Sequence, residues 1–217
     1  MEINNRLYKN QGIHVISTIF TVDNGEVKVI LLKQKKQPFK NNWLLVGGAL
    51  YNNESLINGM KREIYEKTGI NDIMLYYSDT FDMVYRSNDF RMIAISYIGF
   101  ISKEMLNKNK DNLKIDDSNL ISINKMPTLE YDHNQIFNKA LENLKKYILK
   151  TDILKNLFSD GFTLPELQEV VELILDKKFD RRNFRKKVLP IIEDTGKKIN
   201  YKGTKPGKIY VFKEEAY

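Results

Sequence analysis

Residues 47–70 read GGALYNNESLINGMKREIYEKTGI, and most of the fold and chemistry turns on them. From 54 to 68 the spacing is helical, with Leu56, Met60 and Ile64 recurring on one face. Asn53 is the expected N-cap and Gly69 the expected left-handed C-cap. Glu63 and Glu66 share a helix face, and residue 67 joins that face one turn after Glu63. Arg62 is spaced to pair with Glu66 in the same way. Gly47 and Gly48 lead into the helix start, a layout that suits a phosphate through free amides and the helix dipole. Carboxylates on the following turns suit Mg²⁺, which takes oxygen ligands and bridges to phosphates. Together these features describe metal-assisted hydrolysis of a diphosphate linkage. An amphipathic helix with a solvated charged face is the alternative reading. Lys67 sits awkwardly in both, a cation set among gathered carboxylates.

Around this stretch the chain is an ordinary globular sequence. Its 217 residues are 42% hydrophobic and 29% charged, enough for one large domain or a medium domain plus a small one. There are no cysteines, which excludes disulfides, thiolate metal sites and cysteine nucleophiles and fits a reducing cytosol. The start, MEINNRLYKN, is polar and lacks a leader pattern. The longest apolar stretch, GIHVISTIFTV, is short and interrupted by His14, Ser17 and Thr18, so no membrane span and a cytoplasmic location are expected.

Residues 12–33 read as a hairpin turning at Asp23-Asn24-Gly25. NNWLLVGG is a short strand ending in a glycine turn. DIMLYYSDTFDMVY and FRMIAISYIGFI are two further strands, and 102–119 is an exposed, charged excursion. A helix from 133 places Ile136, Ala140, Leu144 and Ile148 in register. His14 and His133 are read as structural, not catalytic.

Beyond about 150 the character changes, with a boundary expected at 145–158 and domains spanning 1–150 and 151–217. Thr163 and Glu166 form a capping box, with Pro165 tolerated in the first turn. Leu164, Leu167, Val171 and Ile174 form its buried stripe. Asp180 caps a second helix on which Phe184 and Val188 point inward and Arg181, Arg182, Arg185 and Lys186 outward. KKINYKGTKPGKIYVF then reads as strand, glycine- and lysine-rich tip, strand, with no strand expected before 195. Residues 151–176 carry one Lys against six Asp/Glu; residues 177–213 carry thirteen Lys/Arg against three. A basic helix followed by a basic wing is the winged-helix arrangement, in which the helix enters the major groove and the wing meets phosphates. A solvated basic surface, or a site for an acidic partner, is the alternative. Arg181, Arg182, Asn183, Arg185, Lys186, Lys202, Lys205 and Lys208 are the candidate DNA contacts.

Residues 48–70 resemble the Nudix box, G-x5-E-x7-R-E-U-x-E-E-x-G-U with U aliphatic. Gly48, Glu54, Arg62, Glu63, Ile64, Glu66, Gly69 and Ile70 match, and Lys67 replaces the second glutamate of the pair. The resemblance implies metal ligation at positions 63, 66 and 67, with Glu54 supporting Arg62. Lys67 then removes one ligand, repels Mg²⁺, and can hold a phosphate as a point charge. With the tail included, the chain resembles the Nudix-related transcriptional regulators. EYDHNQIFNKAL, YRSNDFRMIAISYIGF, DRRNFRKKVL and GTKPGKIYVF carry that likeness. The family's Arg-Asp-Pro is absent, since Ser87 and Asn88 follow Arg86, and Val46 replaces a common proline.

The resemblance implies a mixed α/β Nudix fold, with its sheet between helices, followed by a small α+β winged helix-turn-helix domain. It implies a homodimer on operator DNA and a small effector, ADP-ribose-like or a pentose. Gly47, Gly48, Arg62, Lys67, Arg86 and Arg91 are the effector-site candidates. Glu63 and Glu66 are the remaining metal and catalytic candidates, with Mg²⁺ as the possible cofactor. An active hydrolase of ADP-ribose or a related nucleoside diphosphate is the competing expectation.

Overall fold

A computed structural model describes residues 10–35, 40–87, 90–108, 110–116, 119–148, 153–158, 161–200 and 206–214. Strand β1 (Gly12–Asp23) is the spine of the molecule. It turns through Asn24-Gly25 into β2 (Glu26–Ile30), antiparallel, with Phe20 opposite Val29. The short pair β3 (Leu32–Lys33) and β4 (Trp43–Leu44) leads to β5 (Val46–Ala49), which returns along β1 and sets Gly48 opposite Val15. Strands β6 (Met74–Phe81) and β7 (Met92–Phe100) form an antiparallel pair, and β7 lies parallel to β1. With β8 (Leu120–Ser122) the order is β6-β7-β1-β2-β8, a mixed sheet.

Alternation along β1 supplies both faces. Val15 and Ile19 join Met60 and Ile64 of helix α1 (Leu56–Thr68) on one side. Ile16, Phe20 and Val22 face the other side, where α3 (His133–Tyr147) packs through Ile136, Ala140, Leu144 and Ile148, all fully buried. The same apolar cluster continues into α4 (Ile153–Leu157) and α5 (Leu164–Leu175), then to Phe184, Tyr210 and Phe212. Leu167, Val170 and Ile174 of α5 are wholly buried in this cluster, beside Val27 and Val29 of β2. The second lobe is therefore docked on the sheet through one continuous core. It is completed by α6 (Arg181–Val188) and the wing strands β9 (Ile192–Ile199) and β10 (Gly207–Phe212).

Several expectations hold. Gly69 closes α1 at φ 77°, and a Cβ there would lie 2.1 Å from the Asn112 carbonyl oxygen, so both conformation and space require glycine. The Thr163–Glu166 capping box is present, Asp180 caps α6, and Phe184 and Val188 are its buried residues. Leu164 is only partly buried, and Val170 completes the α5 stripe instead.

Others are corrected. Ser55, not Asn53, caps α1, accepting from the Asn58 amide at 3.3 Å. Glu54 lies before the helix, with its carboxylate held by Arg62 and by the Tyr51 amide. The 102–119 segment is no exposed excursion: α2 (Lys103–Lys108) and a tight turn at Lys110–Asn112 cover the end of α1. Leu106 is buried there, and the Lys114 amide donates to Thr68. Strand β6 stops at Phe81, and the wing starts at Ile192, inside the range expected to lack strands.

Candidate functional site

Arg62 organises the carboxylate helix. Its Nε donates to Glu54 Oε2 at 2.9 Å, and Nη2 donates to Glu54 Oε1 at 2.7 Å and to the Ala49 carbonyl at 2.9 Å. Nη1 reaches Glu63 Oε1 at 2.7 Å and Glu66 Oε2 at 3.3 Å. The guanidinium lies 3.8 Å from the Tyr51 ring centroid. Five N–H groups are thus given to protein acceptors, so Arg62 serves as a scaffold and not as the ligand contact expected of it. These hydrogen bonds hold the Glu54 carboxyl down at about 2.

Glu63 is buried, with both oxygens engaged: Oε1 by Arg62 and Oε2 by the Lys67 ammonium at 3.0 Å. Lys67 also donates to the Gly47 carbonyl. Glycine at 48 makes room for Glu63: an added Cβ would lie 2.1 Å from its carboxyl carbon and push that side chain from its place. Glu66 is half-exposed, and its carboxylate pairs with Arg62. No group of three or more His, Cys, Asp or Glu suited to a metal exists among the described residues. The pair Glu63 and Glu66 does not fit a Mg²⁺ centre. One carboxylate is neutralised from both sides, and the other turns to Arg62.

Arg86, on the loop after β6, makes a bidentate pair with Asp132 at the start of α3, at 2.8 and 2.9 Å, with both side chains largely buried. Arg91 closes the same loop by donating to the Asp82 carbonyl at 2.6 Å. Asn88, between them, lies outside the described residues. His133 Nδ1 accepts from the Leu45 amide at 3.1 Å, which fits the structural role expected of it. His14 from β1 stacks against it at 6.4 Å. Burial lowers the His14 pKa to about 4, with Arg86 and Lys67 adding to the effect. Burial also lowers His133 to about 3, with His14 next in weight. Gly47, Gly48, Lys67 and Arg86 thus frame one region with two neutral imidazoles, Tyr131 standing 5.6 Å from His133. The sequence reading missed Tyr51, Asp132 and the imidazole pair as site components. The EYDHNQIF segment carried a signal for Asp132 and His133, and none was read for Tyr51 or for His14 as a site component.

On the second lobe, Arg181, Arg182, Asn183, Arg185 and Lys186 are all exposed on α6. A groove of about 360 Å³ runs between α6 and β10, lined by Thr163, Gln168, Arg181, Arg185, Lys208 and Tyr210 among others. Lys208 is exposed but paired with Asp194 across the wing at 2.6 Å. Lys202 and Lys205 lie outside the described residues. The turn before α6 is fixed by Glu172 of α5. Its carboxylate accepts from Gln168 at 2.8 Å, Lys178 at 2.7 Å and the Phe179 amide at 2.9 Å, and these bonds lower its pKa to about 2.

A mixed sheet carrying a glutamate–arginine helix behind a glycine pair, fused to a cationic winged helix, defines a Nudix domain with an attached DNA-binding module. Residues 13–143 match the NUDIX domain model, and residues 155–212 match that of the NrtR DNA-binding winged helix domain. The chain belongs to the Nudix family and carries a winged helix of the NrtR kind. It is similar to NrtR of Shewanella oneidensis, crystallised with a 27mer DNA, at TM-score 0.76 and 26% identity over 93% of each chain. It is 24% identical over 214 residues to the ADPR responsive transcriptional repressor NtrR of Acinetobacter baylyi, covering 97% of this chain and 85% of that protein. A shorter match, 29% over 132 residues, is to the ADP-ribose pyrophosphatase of Methanocaldococcus jannaschii, covering 60% of this chain and 73% of that protein. No helix among the described residues is long and apolar enough to cross a membrane.

Proposed function

We propose that this protein is a cytoplasmic, homodimeric transcriptional repressor that releases operator DNA in response to ADP-ribose or a closely related nucleotide sugar. The observation that carries the reading is the exposed cationic face of α6 on a lobe whose core is continuous with the Nudix sheet. That face suits the major groove, and the wing lysines suit phosphates. The likeness to an ADPR responsive repressor supports ADP-ribose over a pentose, and so do the cations of the site. Lys67 and Arg86 suit a diphosphate, whereas a neutral pentose has no charge for them to meet.

Hydrolysis is the lesser reading. The short match to a pyrophosphatase favours it, but Lys67 stands where a third carboxylate would complete the metal set. Glu63 and Glu66, the carboxylates left to that reading, are both engaged by Arg62, and Glu63 by Lys67 as well.

Coupling between the sites runs through α3. A phosphate that draws on Arg86 competes with Asp132, and α3 packs against α5 in the shared core. Moving α3 shifts the two recognition helices of a dimer relative to half-sites about one helical turn apart.

The test is fluorescence anisotropy on operator fragments, with and without ADP-ribose. ADP-ribose should weaken DNA binding, and operator DNA should weaken ADP-ribose binding by the same factor. Identical ADP-ribose affinity in the presence and absence of DNA refutes the sensor.

A further inference from the structure

We infer that the Lys67 ammonium is a built-in cation standing in the divalent metal's place, so that this site takes its diphosphate ligand without metal. The inference rests on the effector reading above for the identity of the ligand, but the geometry of the ammonium stands by itself.

Two oxygens converge on Lys67 Nζ, the Glu63 carboxylate oxygen at 3.0 Å and the Gly47 carbonyl. A carboxylate and a backbone carbonyl are both hard oxygen donors, the kind Mg²⁺ selects. Here they are satisfied by an ammonium instead. The remaining Glu63 oxygen is held by Arg62 at 2.7 Å, so each oxygen of that buried carboxylate already has a cation on it. Glu66 is left with one weaker contact, to the same arginine at 3.3 Å. A divalent ion arriving here would meet the repulsion of two fixed cations and a single half-exposed carboxylate in compensation.

The ammonium has three N–H groups, and two are engaged by Glu63 and Gly47. The third is available to a phosphate oxygen. Lys67 is also 40% exposed, so its head reaches open space while Glu63 stays buried beneath it. Gly48 allows the Glu63 carboxylate to lie directly against strand β5, which brings the ammonium to the same strand at Gly47. Lys67 and Arg86 both act on His14 and His133, which places the two cations around one region. A diphosphate there is met by Lys67, and by Arg86 where it displaces Asp132 from the guanidinium.

The experiment has two arms on the full-length protein. In the first, Mn²⁺ is titrated in without nucleotide, and free Mn²⁺ is followed by electron paramagnetic resonance. Wild type should leave Mn²⁺ free. Lys67→Glu should bind it, and adding Glu63→Gln should abolish that binding. In the second, ADP-ribose binding is measured by calorimetry in EDTA and in Mg²⁺. Wild type should bind equally in both, within about twofold. Lys67→Met should lose at least about tenfold in EDTA, and Lys67→Glu should bind only when Mg²⁺ is present. Circular dichroism checks that each variant is folded. Mn²⁺ uptake by wild type at Glu63, ADP-ribose binding by wild type that requires Mg²⁺, or a Lys67→Glu variant that ignores Mn²⁺ overturns the inference. Failure of every form to bind ADP-ribose removes the effector reading, while the Mn²⁺ arm still decides whether the ammonium holds the metal's place.

Discussion

Leu167→Ala should unfold the Nudix sheet more easily even though Leu167 lies on the DNA-binding lobe. Leu167 is wholly buried in the cluster that also holds Ile16, Phe20, Val27 and Val29 of the sheet. Removing a methine and two methyl carbons from such a position costs about 2–5 kcal/mol, the spread reflecting how far the site collapses. Taking ~3 kcal/mol, and about 2–4 °C per kcal/mol for a chain of this size, the midpoint falls by roughly 6–12 °C. Multi-domain chains often melt in separate steps. A continuous core predicts one step here. Trp43 is the only tryptophan and sits on the Nudix side, half-buried against the same cluster, so its fluorescence reports that lobe. Far-UV circular dichroism reports the helices of both. In wild type the two signals should share one midpoint, and Leu167→Ala should shift both equally. A Trp43 midpoint that stays put while the helical signal splits into two transitions refutes the continuous core.

Three further outcomes follow from named contacts. Arg182→Ala with Arg185→Ala should abolish specific DNA binding and flatten its salt dependence without moving the melting midpoint, because both side chains are exposed; gel shifts on genomic fragments check this. Glu172→Gln should cost about 2 kcal/mol, since charge-assisted hydrogen bonds to Gln168, Lys178 and the Phe179 amide are weakened. The Glu172 carboxyl is lowered from 4.5 to about 2, so its stabilisation is present above pH 4.5 and lost as pH falls toward 2; the variant should lack that acid limb in urea titrations. His14 and His133 are lowered from 6.5 to about 4 and about 3, so folding excludes their protons. Stability should fall as pH drops below 6.5, and His14→Gln should make that decline shallower, a slope unchanged from wild type being the contrary result.

Local features were the legible ones. The Thr163–Glu166 box, the Asp180 cap and the Gly69 turn each depend on residues within one helical turn, and each stands where the sequence puts it. The α1 start was misread because Asn53 and Ser55 are both good caps. Arg62, eight positions on from Glu54, holds that carboxylate ahead of the helix start. The Arg86–Asp132 pair joins residues 46 positions apart, a separation over which no periodicity carries information. Polarity suggested that 102–119 runs free in solvent. Leu106 and the Lys114 amide tie it to α1, with Met105, Leu113 and Ile115 packed on the same cluster, and four apolar residues scattered through a charged stretch are a faint signal for that. The expectation of a boundary near 150 rested on strand-like runs giving way to helical segments. The apolar faces that join across it look, in sequence, like any helix stripe and any strand.

The division of labour on α6 bears on how such a protein can change. Phe184 and Val188 are its only buried residues, and they alone tie the helix to the core. Positions 181, 182, 183, 185, 186 and 187 face solvent, so substitutions there alter what the helix reads at little cost in stability. Helix α5 has no such freedom, because Leu167, Val170, Val171 and Ile174 hold the sheet as well as the lobe. Target preference can therefore drift along one short helix while the sensing half keeps its shape. A foreign winged helix grafted at residue 150, by contrast, must bring an α5 face that fits Val27 and Val29.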